Sequence, residues 1–169
     1  MLQEGNRMDL TFKTKEGRFN YRVAGVMIHE NKLLIMKDYR APYYYLPGGR
    51  VNLHETSTCA ILREIKEELQ VEGKVNRLLW IHENFFYEQI LNEPFHEICF
   101  YYLIDLPKEF LESSPNHFVM EEHKDWYLSF DWIPLSRLDQ VMIYPEFLKE
   151  AIYQLPEFPK HIITYDKKS

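Results

Sequence analysis

The chain has 169 residues, 46% of them hydrophobic, 27% charged and 15% aromatic, with a formal net charge of −6; that is the size of one ordinary domain with enough apolar material to bury a core. The acidic balance argues against a DNA or RNA polymer as partner, because nonspecific binding needs clustered Lys and Arg, yet it leaves a nucleotide ligand open, since a bound divalent cation reverses the local field. Cys59 and Cys99 make no disulfide framework, the first twenty residues lack the apolar core of a signal peptide, and the longest apolar run, Ile98 to Ile104, is far too short to cross a bilayer, so the expectation is one domain over 1–169, cytoplasmic, with free thiols and no membrane partner.

In chain order, Leu10 to Lys13 and Tyr21 to His29 read as strands, rich in β-branched and aromatic residues, and Glu30-Asn31 turns the chain into a further strand, Leu33 to Lys37. Pro42 precedes an extended run, Tyr43-Tyr44-Tyr45-Leu46, which stops at Pro47-Gly48-Gly49, expected as a tight turn. Thr56 to Leu69 holds no Gly or Pro and has helical spacing, with Thr56 or Ser57 as the N-cap. Extended segments follow near Val75 to Ile81 and Phe95 to Leu106, then a polar loop from Lys108 to Lys124 and a strand from Trp126 to Ile133. Pro134 and Pro145 each stand where a helix can begin, the second running to about Leu155. His161 to Tyr165 is β-rich and is expected to pair with an edge strand or with a second copy of the chain, as in a homodimer. Strands and helices mix without strict alternation, so the fold class is α/β, a mixed central sheet flanked by helices.

The chemistry concentrates on the helix. Ile61, Leu62, Ile65 and Leu69 gather on one side of it, and Glu64, Glu67 and Glu68 fall on an adjoining arc, because positions three and four apart share a face. Clustered glutamates on a helix are most often a solvated face. Here they follow a glycine pair whose backbone carbonyls can approach a metal closely, and Arg63, one turn before Glu67, can hold a neighbouring carboxylate with its planar fork. Side-by-side carboxylates repel unless a cation sits among them, and hard oxygen ligands suit Mg²⁺ or Mn²⁺.

With those residues in view, Gly49 to Val71 resembles the Nudix box: Gly49, five residues, Glu55, seven residues, then Arg63-Glu64-Ile65-Lys66-Glu67-Glu68 and the apolar Val71. Gln70 stands where that family normally has Gly, which puts the closing of the helix in question and leaves the candidate ligands untouched; Gly73 is the expected substitute. The resemblance implies a Nudix-type α/β/α sandwich with a catalytic loop–helix–loop over 47–73. It also implies that Glu67 and Glu68 bind a divalent metal with help from the Gly48 carbonyl, that Glu64 is a ligand or general base, and that Glu55 and Arg63 are linked.

The implied reaction is metal-dependent hydrolysis of a phosphoanhydride bond in a nucleoside diphosphate joined to another moiety, such as ADP-ribose, a dinucleoside polyphosphate or a nucleoside triphosphate. Family members often take a base or a further ligand from a later loop, for which Glu121 and Glu122 are candidates, with Glu97 behind them. Arg40 and Arg50 flank the glycine pair as candidate phosphate ligands, and Tyr43, Tyr45, Phe85, Phe86 and Tyr87 are candidates for a wall against a nucleobase. Two other classes compete. A Nudix domain that binds nucleotide or metabolite without turnover, as sensor or scaffold, has no need of three metal-binding carboxylates, and an isopentenyl diphosphate isomerase would need an added cysteine and glutamate in the site.

Overall fold

The computed structural model describes residues 7–39, 41–89, 91–123 and 126–166. Two sheets form. The larger contains β1 (Thr11–Lys13), β2 (Arg18–Val26), β5 (Gly48–Arg50), β6 (Lys74–Glu88), β7 (Glu93–Asp105) and β10 (Lys160–Tyr165). It runs β1-β2-β7-β6-β10, with β5 following β1 along the same edge of β2. β2 pairs in parallel with β7 and β6 in parallel with β10, whereas β6 and β7 form a long antiparallel hairpin, so the sheet is mixed. The smaller sheet, β3 (Ile28–His29), β4 (Lys32–Asp38), β9 (Trp126–Pro134) and β8 (His117–His123), is antiparallel throughout.

Alternation along β2 sends neighbouring side chains to opposite faces. Val23, with Tyr102 and Ile104 of β7, meets Ala60, Ile61, Ile65 and Leu69 of the helix α1 (Ser57–Leu69) and the inward residues Leu34, Met36, Phe130 and Trp132 of the smaller sheet. Gly25 permits this approach: a Cβ there would come within 3.2 Å of Ile65 Cδ1. On the opposite face Ala24, Trp80, Cys99 and Tyr101 pack against Leu138 of a 3₁₀ turn (Leu135–Gln140) and against Leu148 and Ile152 around α3 (Leu148–Ala151). Among the described residues no helix is long and apolar enough to cross a membrane.

Several elements differ from the sequence reading. Lys108 to Lys124 contains a short helix, α2 (Lys108–Ser113), and the edge strand β8, because Phe118 packs inward on Phe130 at 5.0 Å while Val119 and Glu121 face out. The amphipathic helix from Pro145 shrinks to the single turn α3, since the amides of Tyr153 and Gln154 bond three residues back and Leu155-Pro156 follows. Pro47-Gly48-Gly49 is no tight turn: Gly48 and Gly49 are extended in β5, paired with Ala24 and Val23 of β2. Glu30 and Asn31, with φ of 48° and 58°, do make the turn expected of them, and the C-terminal strand lies in parallel on β6 of its own chain.

α1 also ends differently. Gln70 itself takes the left-handed conformation, φ 57° and ψ 33°, and its N–H donates to the Lys66 carbonyl. Gly73 is not the substitute; it lets the chain pass close to Ile104 and Ile65. A side chain in that conformation costs about 1 kcal/mol relative to Gly. Gln70→Gly is therefore expected to raise the melting temperature by roughly 2–4 °C; an unchanged or lower midpoint in a thermal melt would contradict a strained cap.

His82 sits fully buried on β6, its ring 4.8 Å from that of Phe147, with Nε2 bonded to Thr164 Oγ1 at 2.7 Å and Nδ1 without a partner among the described residues. Burial depresses its pKa from 6.5 to about 4. The unfolded chain therefore binds a proton that the folded chain refuses. The contribution is whole above pH 6.5 and is lost as pH falls toward 4. Urea unfolding at pH 7 and pH 5 is expected to show about 2 kcal/mol of acid destabilisation from this group, absent in His82→Gln; equal pH dependence in both proteins would refute it.

Candidate active site

Thr56 opens α1, its Oγ1 accepting the Cys59 N–H at 3.2 Å. From there Glu64, Glu67 and Glu68 recur on successive turns, and Arg63 lies among them as the hub. Its Nε and Nη2 clasp both oxygens of Glu55 at 2.8 and 3.0 Å. Nη2 also donates to the Arg50 carbonyl at 3.0 Å, and Nη1 donates to Glu64 Oε1 at 2.6 Å and to Glu67 Oε2 at 3.1 Å. One planar cation thus joins the loop before the helix, strand β5 and two helix carboxylates. Burial pushes the Glu55 carboxyl up, but bonds from Arg63 and from the Asn52 amide outweigh it and hold it below the usual carboxylate range. Bonding to Glu55 in turn raises the Arg63 pKa.

The glycines bring backbone and carboxylates together. Gly48 has φ 146°, a conformation that side chains rarely adopt, and a Cβ there would overlap the Val23 carbonyl. Its N–H donates to Oε2 of the buried Glu68 at 3.1 Å. At Gly49 the space of a Cβ is filled by the Glu64 carboxyl, so that carboxylate lies flat against bare backbone. Burial raises the Glu64 pKa, and the attraction of Arg63 offsets this only in part.

As placed, no three acidic, histidine or cysteine groups among the described residues converge on one point as a ready-made metal cage. The cation found between Glu64 and Glu67 is Arg63, and Arg7 reaches the other Glu67 oxygen at 3.1 Å. The chemistry of the donor set nevertheless fits a hard divalent ion. Glu64, Glu67 and Glu68 bring carboxylate oxygens, which are hard ligands, to one arc of α1 beside the bare backbone of Gly48 and Gly49.

Other candidates are placed differently. Arg50 is committed to Asn20 Oδ1 at 3.2 Å and to Asp9 at 3.3 Å. Arg40 lies outside the described residues. Glu121 and Glu122 stand on β8, which packs beside α1; Glu121 is exposed, and the Glu122 side chain lies outside what the structure describes. Glu97 stands on β7, where Asn20 Nδ2 donates to it at 3.3 Å.

Of the aromatic candidates, Tyr43 packs edge-on to Tyr144 at 5.2 Å and lies, like Tyr45, within the electrostatic reach of Arg22. Phe85, Phe86 and Tyr87 make their ring and hydroxyl contacts with other residues. Phe85 stacks between His96 and Tyr165, Phe86 stacks on Phe95, and the Tyr87 hydroxyl bonds Asn92, all at the far end of the β6–β7 hairpin. Sequence reasoning missed Arg22, a guanidinium on β2 whose Nη2 lies 3.5 Å from the Gly48 carbonyl. The available signal was a charged residue inside a strand otherwise apolar at its centre.

Comparison with known proteins matches the family model described as NUDIX domain over residues 19–152. Over 65 residues the chain is 38% identical to a protein named ADP-ribose pyrophosphatase of Methanocaldococcus jannaschii, a stretch that covers 37% of this chain and 38% of that protein. Among solved structures, a MutT NUDIX hydrolase from Burkholderia pseudomallei superposes with a TM-score of 0.52 at 20% identity, covering 78% of this chain and 95% of that one. A MutT protein from Bacillus halodurans gives 0.54 at 12% identity, covering 84% and 89%. Both share the fold, a mixed sheet between helical layers.

The Arg63 hub generates a prediction. Lysine keeps the charge but cannot serve Glu55, Glu64 and the Arg50 carbonyl at once. Arg63→Lys is expected to lower unfolding stability by roughly 2–4 kcal/mol in urea titration, and a loss under about 0.5 kcal/mol would show that the hub is dispensable.

Proposed function

The chain belongs to the Nudix family, and from that premise we propose that it is a pyrophosphohydrolase that uses a divalent cation, Mg²⁺ or Mn²⁺, to cut a phosphoanhydride bond in a nucleoside diphosphate linked to another moiety. ADP-ribose, a dinucleoside polyphosphate and a nucleoside triphosphate are the candidate substrates. The observation that carries this reading is the seating of the Glu64 carboxylate against Gly49 beside Glu68. Carboxylate oxygens gathered beside bare backbone are the hard ligands that a divalent cation takes. The name of the M. jannaschii relative supports a nucleoside diphosphate derivative over other anhydrides. The net charge of −6 supports a small nucleotide over a nucleic acid polymer, and the free thiols, Cys59 exposed and Cys99 buried, support a reducing, cytoplasmic setting.

In this reading Glu67 and Glu68 hold the cation, with Glu64 and the Gly48 carbonyl beside them. The bound cation would neutralise phosphate oxygens and acidify a water. Arg63 sets the spacing of the carboxylates through its bonds to Glu64 and Glu67, and Glu55 fixes Arg63. A water oxygen forms a new bond to phosphorus, the bridging P–O bond breaks, and the proton passes to a carboxylate, with Glu64, Glu121 and Glu122 as candidate acceptors. Arg40, three residues before Tyr43 in the sequence, remains a candidate for the phosphates.

The test is a panel of nucleoside diphosphate derivatives with Mg²⁺, with Mn²⁺ and with chelator, read as release of phosphorylated product. Cation-dependent turnover of at least one member is expected, and its absence across the panel would overturn the proposal. Glu68→Gln is expected to lower kcat by at least about 100-fold while the far-UV spectrum and melting curve stay near wild type; near-normal turnover would remove Glu68 from the site.

A further inference from the structure

Most arginines of the larger sheet have definite acceptors. Arg18 bonds Glu93 at 2.7 Å, Arg50 bonds Asn20 and Asp9, and Arg77 donates to the Pro156 carbonyl at 3.2 Å. Arg22 does not follow them. It is half-buried in the middle of β2, in register with Cys99 on one side and Arg50 on the other. Its five N–H donors have, among the described residues, one long bond of 3.5 Å to the Gly48 carbonyl and no carboxylate at ion-pairing distance. Glu97, the acidic group that acts on it most, does so from further off and is itself held by Asn20. A guanidinium withdrawn from water without acceptors is costly, and it is the arrangement that receives a planar or tetrahedral oxyanion through two parallel bonds.

Position says which anion. Arg22 reaches the Gly48 carbonyl, its charge is felt by Glu64 on one side and by Tyr43 on the other, and it shares the sheet face of Asn20 and Glu97. That places it between the carboxylate cluster of α1 and the tyrosines after β4. We propose that Arg22 is a phosphoryl-binding residue: its fork takes the non-bridging oxygens of the substrate phosphate that lies on the β2–β7 side of the scissile anhydride. This extends the hydrolase reading of the same site and rests on it for the identity of the ligand. The role differs from that of Arg50, whose Nε and Nη1 bond Asn20 and Asp9, and from that of Arg63, whose donors serve Glu55, Glu64, Glu67 and the Arg50 carbonyl.

Arg22→Gln separates binding from scaffolding, because the glutamine amide can still donate to the Gly48 carbonyl while the charge and the fork are lost. Against whichever panel member turns over, KM is expected to rise about 10- to 100-fold with kcat changed less than about threefold. Arg22→Lys should restore part of the affinity, and it stands in should the glutamine variant fail to fold. An independent reading uses inorganic pyrophosphate as probe, titrated calorimetrically into the metal-free protein, where Arg22→Gln should weaken binding at least about tenfold. Pyrophosphate binding that depends on Arg22, in a protein with no turnover, would sustain the anion site and defeat the hydrolase reading. Turnover with KM and pyrophosphate affinity unchanged in both variants would defeat the anion site and leave the hydrolase reading intact. No pyrophosphate binding by the wild-type chain would also overturn the inference.

Discussion

The guanidinium of Arg63 is the point on which the candidate site turns. Its three nitrogens reach Glu55 on the loop, the Arg50 carbonyl on β5, and Glu64 and Glu67 on α1. A loop, a strand and a helix are thereby fixed to one another by charge-assisted bonds, in a place only partly open to water. Without such a cation, side chains of like charge on consecutive helical turns would repel and splay. Because the hub also faces two of the carboxylates, it sets how far apart they stand and limits the charge they leave for a further ion.

Around that hub the fold supplies two different surfaces. The α1 side is apolar below and acidic at its rim, and the bare backbone at Gly49 lets the Glu64 carboxylate approach β5 where any other residue would force it away. The opposite face of the sheet carries a polar strip, with Asn20, Arg22 and Glu97 side by side on β2 and β7. The two meet at Gly48, whose N–H answers to Glu68 and whose carbonyl is approached by Arg22. An anhydride set across that corner would have the α1 carboxylates, with any cation they hold, at one phosphate and a guanidinium at the other. This is the division of labour expected where charge must be neutralised on both sides of the bond that breaks.

Much of this was legible in the residues. α1 is thirteen residues long with period and cap in agreement, and its acidic arc follows from spacing alone. The carboxylate–guanidinium link between Glu55 and Arg63 was likewise expected from the box and is present. What could not be read depends on partners distant in sequence. β8 lies at a sheet edge and mixes polar and apolar residues, with Val119 and Glu121 turned outward, so its segment resembles a loop until β9 lies beside it. Gly48-Gly49 has the composition of a turn, yet pairing with β2 holds it extended. Gln70 adopts a glycine's conformation with its N–H on the Lys66 carbonyl, next to the buried Leu69. Arg22 belongs to no motif; that its fork has, among the described residues, only one long bond to the Gly48 carbonyl is visible in three dimensions alone.

The central claim is that the α1 carboxylates take up a divalent cation in place of part of what Arg63 and Arg7 now supply. Titration of Mn²⁺ into the chain, followed by the electron paramagnetic resonance signal of the free ion, addresses this without reference to any substrate. Saturable uptake that vanishes when Glu64 and Glu68 are both replaced by Gln is the result the account predicts. Uptake that persists undiminished in that doubly substituted chain, or none at all in the wild type, would contradict it.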